Sequence, residues 1–111
     1  MTLTLASNEV QCGVARTGKL YAYEHYGIEP DILATAKGIG GGFPLGAVLA
    51  KEWVGKHLVP GTHGTTFGGN PLAAAVARVA LRKLASPEIA ANVTRQSCAL
   101  RDGLAALDAE F

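Results

Sequence analysis

The apolar residues of this chain fall in short runs separated by glycine-rich and polar stretches, with a longer helical periodicity near the end. Leu3 to Ser7 (LTLAS) is a run suited to a buried strand, and Asn8, Glu9, Val10 and Gln11 follow where polar side chains emerge at a strand's carboxyl end. Ligands of open α/β sheets gather at such ends. Gly13 to Gly18 (GVARTG) reads as a loop, and Lys19 to Tyr26 as a short helix stopped by Gly27. Pro30-Asp31 opens a second apolar run, Ile32 to Thr35, which passes through Ala36-Lys37 into Gly38, Gly40, Gly41 and Gly42. A third run, Gly46 to Ala50, precedes a helical patch around Trp53, and Gly61 to Gly69 forms a second loop of glycines, threonines and His63.

Two helix starts are written plainly. Asn70 can cap free amides, and Pro71 at the first helical position has no amide to leave unpaired, so Leu72 to Ala85 is predicted helical. Ser86-Pro87-Glu88 restarts in the same way, and Ile89, Val93, Leu100, Leu104, Leu107 and Phe111 repeat at helical spacing. Three short strands among helices and loops make an α/β pattern with too few strands for a complete sheet. The expectation is a partial domain spanning 1–111, of order strand, loop, helix, strand, lysine loop, strand, glycine-threonine loop and two helices.

With 49% apolar and 17% charged residues among 111, the composition is that of a packed globular segment. Ten basic residues against nine acidic ones give a net charge of +1. Their scatter provides no footprint for nucleic acid or an anionic membrane surface. No apolar stretch reaches the roughly 18 residues of a membrane span, and Met1 to Val10 lacks the pattern of a signal peptide. A cytoplasmic protein with Cys12 and Cys98 as reduced thiols is expected.

Candidate chemistry narrows quickly. The glycines from Gly38 to Gly42 do not give G-x-G-x-x-G, and Lys37 precedes them, whereas a P-loop lysine follows its glycines. His25, His57 and His63 have no companions at metal-ligand spacing, and no G-x-S-x-G is present. Lys37 stands out. A lysine at the carboxyl end of a buried strand, flanked by Ala36 and Gly38, is expected to be desolvated on one side, which favours the free amine that attacks a carbonyl to form a Schiff base. The alternative from these residues alone is a solvated lysine at a strand end. Lys19, Lys51, Lys56 and Lys83 fall on loop or helix segments expected to be solvated.

The segments EVQCGVARTGKLYAYEHYGIEPDILATAKGIGGGFPLGAVLA (Glu9 to Ala50) and GTHGTTFGGNPLAAA (Gly61 to Ala75) closely resemble the class III pyridoxal-phosphate aminotransferases, and look most like their acetylornithine group. Asp31 to Lys37, the GGGFPLGA run and HGTTFGGNP occur in the family's order, and a looser similarity runs to the chain's end. The resemblance implies the central part of the large domain of a fold-type I transferase, a three-layer αβα architecture around a mainly parallel sheet. It implies pyridoxal 5′-phosphate held on Lys37 as a Schiff base, with the same lysine later carrying a proton between substrate and cofactor. It implies that Gln11, the glutamine of a D-E-x-Q motif, lies near the cofactor's 3′-oxygen. Thr66 would bind the phosphate, contributed across the interface of a homodimer.

The implied reaction moves an amino group from N-acetylornithine to 2-oxoglutarate. Ornithine, succinylornithine, succinyldiaminopimelate and 4-aminobutyrate are related donors. Position 8 departs from the pattern, because the family has an aspartate on the ring nitrogen where this chain has Asn8. A neutral amide cannot supply the charge that keeps that nitrogen protonated. Met1 to Ser7 match the family strand poorly, which suggests a junction ahead of Asn8. The family's upstream phosphate loop and downstream carboxylate-binding arginine find no counterpart here. The competing expectation is a catalytically inert segment that acts, if at all, as an interaction or dominant-negative subunit.

Overall fold

The structure is a computed structural model that describes residues 3–109. Phe111, the last residue of the predicted helical repeat, lies outside the described residues.

Three strands form one mixed sheet in the order β1 (Ala6–Glu9), β2 (Ile32–Ala36), β3 (Gly46–Ala50). β1 runs parallel to β2, with Asn8 opposite Ala34 and Glu9 opposite Thr35, and β3 returns antiparallel to β2 with Thr35 opposite Ala47. The first strand starts later than the apolar run predicted. Leu5 still belongs to the ladder, since its carbonyl accepts from the amides of Asp31 and Ile32, and Asp31 Oδ2 accepts from the Leu5 amide at 2.9 Å. That bond, with Lys51 nearby, holds the Asp31 carboxyl below its ordinary value.

The predicted helix over Lys19 to Tyr26 shrinks to one 3₁₀ turn, Ala22–Tyr26, ended by Gly27 in the left-handed conformation at φ 61°. A second 3₁₀ turn, Lys37–Gly40, follows β2 directly and ends on Gly41 at φ 55°. The helices are α1 (Glu52–Gly55), α2 (Pro71–Leu84) and α3 (Pro87–Asp108). Asn70 caps α2 as predicted, its Oδ1 accepting from the Leu72 and Ala73 amides at 2.9 and 3.2 Å. Ser86 Oγ accepts from the Ile89 amide at the head of α3.

Val14, Ile39 and Ala77 make the core, with Tyr21, Leu45, Ala47, Leu81 and Leu84 packed against them. The loop after β1, the turn after β2 and one face of α2 therefore meet at a single point. Elsewhere the apolar faces are open: Val48 and Leu49 on β3 and Leu100, Leu104 and Leu107 on α3 are exposed. The Cα radius of gyration is 17.4 Å, against about 13 Å for a compact chain of this length. No helix among the described residues is long and apolar enough to cross a membrane.

Candidate functional site at the carboxyl ends of two parallel strands

Parallel pairing brings the carboxyl ends of β1 and β2 to one edge of the sheet. The last ladder pair is Glu9 with Thr35. Gln11 and Lys37 each stand two residues beyond it, and they meet: Lys37 Nζ donates to Gln11 Oε1. Two predicted site residues separated by 26 positions are thus side by side.

The backbone at this edge is forced into unusual shapes. Lys37 has φ 53°, and Val14 and Ala15 have φ 57° and 68°, the described non-glycine residues in the left-handed region. For a β-branched residue such as Val14 this conformation is an outlier that surrounding structure must impose, and such strain collects at functional sites. Gly38 allows a close approach here, since a Cβ on it would lie 3.2 Å from Val14 Cβ, a tight contact.

Lys37 is exposed, which corrects the expectation of a lysine desolvated by the strand it follows. Its left-handed backbone lifts the side chain away from the buried face that Leu33 and Thr35 occupy on β2. It borders an open cleft of about 710 Å³ together with Arg16, Phe43, Pro44 and Leu84. Arg16 Nη1 also donates to the Gln11 carbonyl at 3.0 Å, tying the far side of the loop to the same residue. Lys51, expected to be solvated, is instead half-buried and paired with Asp31 and Glu29 at 3.4 and 3.6 Å.

Asn8 lies on the opposite face of β1 from Glu9 and is exposed. Its Oδ1 accepts from the Val10 amide at 3.1 Å, so the end of the side chain left for a ligand is the NH₂ group, a donor. Thr66 stands apart. It is exposed, and no hydrogen bond joins it to Asn8, Gln11 or Lys37 among the described residues. The turn role open to a threonine in this loop belongs to its neighbour, since Thr65 Oγ1 accepts from the Gly68 amide at 3.1 Å.

Glu9, read from sequence only as a polar residue after a strand, is the least exposed side chain at this edge, at 1%. Oε1 accepts from the Tyr23 amide at 2.9 Å and from Ser7 Oγ at 3.3 Å; Oε2 accepts from the Ala22 amide at 3.1 Å and from Cys12 Sγ at 3.2 Å. Burial pushes this carboxyl up, but the bonds from Cys12, the two amides and Ser7 together hold it below its ordinary value. The same contact pushes the Cys12 thiol up, and burial adds to it. Cys12 and Cys98 are both free. The available signal for Glu9 was its spacing from Gly13, whose amide donates to the Glu9 carbonyl at 3.0 Å.

The accessible Lys37 amine on the open cleft, with the Gln11 amide beside it, has the chemistry to hold a group bearing an aldehyde and ring polar atoms; Asn8, near the end of the strand that leads to Gln11, offers a further NH₂ but does not line the cleft. The glycines Gly38, Gly41 and Gly42 leave part of the cleft wall as bare backbone.

The class-III aminotransferase family model matches residues 2–111, a span that includes the segment ahead of Asn8. The chain is similar to the acetylornithine aminotransferase of Xanthomonas campestris pv. campestris, with 64% identity over 107 residues, 96% of this chain and 26% of that protein. It is 50% identical over 107 residues to the succinylornithine transaminase of Photorhabdus laumondii, covering 96% of this chain and 27% of that protein. Among solved structures, the N-acetylornithine aminotransferase of Stenotrophomonas maltophilia K279a superposes with a TM-score of 0.83 at 55% identity, over 97% of this chain and 27% of that one. The ornithine aminotransferase of Toxoplasma gondii, whose active site holds pyridoxal phosphate at partial occupancy, gives a TM-score of 0.86 at 44% identity, over 92% of this chain and 24% of that one. The chain spans about a quarter of the length of these relatives.

Proposed function

Because this chain belongs to the class-III aminotransferases, we propose that residues 1–111 form part of a pyridoxal-phosphate-binding large domain in which Lys37 holds the cofactor covalently through Nζ. The observation that carries the proposal is the meeting of Lys37 and Gln11 at the shared carboxyl edge of β1 and β2. When bound, pyridoxal phosphate supplies a conjugated ring that takes up the electron pair left by a departing α-proton. Each residue at the edge has a part in that chemistry. Lys37 Nζ would also be the base that takes the α-proton and the acid that returns it. Gln11, whose Oε1 already accepts from Lys37, retains an NH₂ group to donate to the ring's 3′-oxygen. Asn8 presents its NH₂ to the ring nitrogen and carries no charge, which weakens the electron sink relative to an aspartate. Thr66 donates its hydroxyl to the phosphate, reaching it from the partner subunit of a homodimer.

Transamination is proposed for the protein to which these residues belong, a cytoplasmic enzyme. Its amino donor is N-acetylornithine or a related ω-amino compound and its acceptor is 2-oxoglutarate. The names of the relatives at 64% and 50% identity support that donor class. The test is absorbance after adding pyridoxal phosphate to the purified protein. A Schiff-base band that Lys37→Ala abolishes supports the proposal, and a band of equal strength in Lys37→Ala overturns it.

A further inference from the structure

Glu9 is a buried carboxylate that no cation neutralises among the described residues; three of its four carboxylate hydrogen bonds come from the loop that carries Gln11, and the fourth comes from Ser7 on its own strand. Its two oxygens reach forward to the Ala22 and Tyr23 amides, closing the loop that begins at Val10. Its carbonyl holds the near end of the same loop through the Gly13 amide, and the Cys12 thiol fastens that end to Oε2 as well. Gln11 sits at the apex of this tight turn, facing Lys37. We propose that Glu9 is a positioning residue for the lysine site: its ionised carboxylate fixes the Val10–Tyr23 loop so that the Gln11 amide is held against the Lys37 amine. The inference deepens the reading of Lys37 as the cofactor-binding lysine and rests on it.

The carboxylate is needed for its chemistry and not only its shape. Both oxygens accept, each from one backbone amide and one side-chain donor. In Glu9→Gln one of those oxygens becomes an NH₂ group, which cannot accept and turns donor against donor. The loop is then released at one end while size and packing are kept.

The experiment is competitive labelling of the purified protein with limiting acetic anhydride, read lysine by lysine by peptide mass spectrometry. It needs no cofactor, so a failure of the Schiff-base reading leaves it interpretable. Lys19 and Lys56 are exposed references, and Lys51, held by Asp31 and Glu29, reports whether the fold is intact. Glu9→Gln and Gln11→Ala are each expected to raise Lys37 labelling about threefold or more, with Lys51 unchanged. The double variant is expected to rise no further than Gln11→Ala alone, because the two act through one contact. Unchanged Lys37 labelling in Glu9→Gln, or effects that multiply in the double variant, would overturn the proposal. If Glu9→Gln also releases Lys51, Cys12→Ala is read in its place, since it removes one donor and keeps both backbone bonds. Its increase at Lys37 must disappear in a Gln11→Ala background; an absent or persistent increase overturns the proposal equally.

Discussion

Lys37 donates to Gln11 across the carboxyl edge of the sheet, two residues past the last ladder pair on either strand. Parallel register brings the two strand ends to one edge, and the turn after Glu9 and the left-handed backbone of Lys37 complete the contact.

The stability of this edge should depend on pH through Glu9. Its carboxyl is held below its ordinary value near 4.5 in the folded chain. The contribution is therefore fully present above that value and is lost as pH falls through the lower, folded one. Glu9→Gln should cost about 2 kcal/mol at pH 7, the scale of a buried polar group left unsatisfied, and should flatten the acid limb of the stability curve. Denaturant melts of both chains between pH 7 and 3 check this; parallel curves would refute it.

Gly13→Ala should be more damaging than its size suggests. A Cβ there would lie 2.5 Å from the Glu9 carbonyl oxygen and 2.9 Å from Glu9 Cβ, and backbone cannot yield as a flexible side chain can. A loss of at least about 2 kcal/mol in a chemical melt is expected, together with loss of the Lys37–Gln11 contact. A melt like that of the unaltered chain would show that the turn is not so tightly built.

The strand and helix framework was largely legible in the sequence, and the site only partly. Asn70-Pro71 and Ser86-Pro87 marked helix starts because capping is local chemistry. Ile32 to Thr35 and Gly46 to Ala50 read as strands because apolar runs between glycines and prolines have few other uses, and β2 extends one residue further, to Ala36. β1 was misplaced because Asn8 and Glu9 are polar, and hydropathy cannot reveal a carboxylate buried on backbone amides 13 and 14 residues away. The predicted helix from Lys19 shrank for a related reason: Glu9 takes the Ala22 and Tyr23 amides while Glu24 Oε1 takes that of Tyr21 at 2.7 Å. The exposure of Lys37 depends on its backbone angle, which no composition rule supplies.

Thr66→Ala should leave the melting of the chain unchanged, since the hydroxyl is exposed, and should weaken pyridoxal phosphate binding by about 1.5–3 kcal/mol, the range for a hydrogen bond to a charged group. Mixing Thr66→Ala with Lys37→Ala subunits should rebuild a fraction of working sites. Absence of any rescued site would contradict a contribution across the dimer.

Asn8→Asp should retain the turn, because a carboxylate oxygen accepts from the Val10 amide as the present Oδ1 does. With cofactor bound it should speed exchange of the donor's α-proton into deuterated water by about tenfold or more, equivalent to 1.4 kcal/mol of barrier. An unchanged exchange rate would show that the charge at this position does not reach the ring.

Lys37 is proposed as the one lysine of this chain that carries the cofactor. Borohydride reduction of the protein with pyridoxal phosphate, followed by peptide mapping, tests it most directly. A pyridoxyl label confined to the peptide containing Lys37 is expected. A label spread over Lys19, Lys51, Lys56 and Lys83, or absent from Lys37, would contradict it.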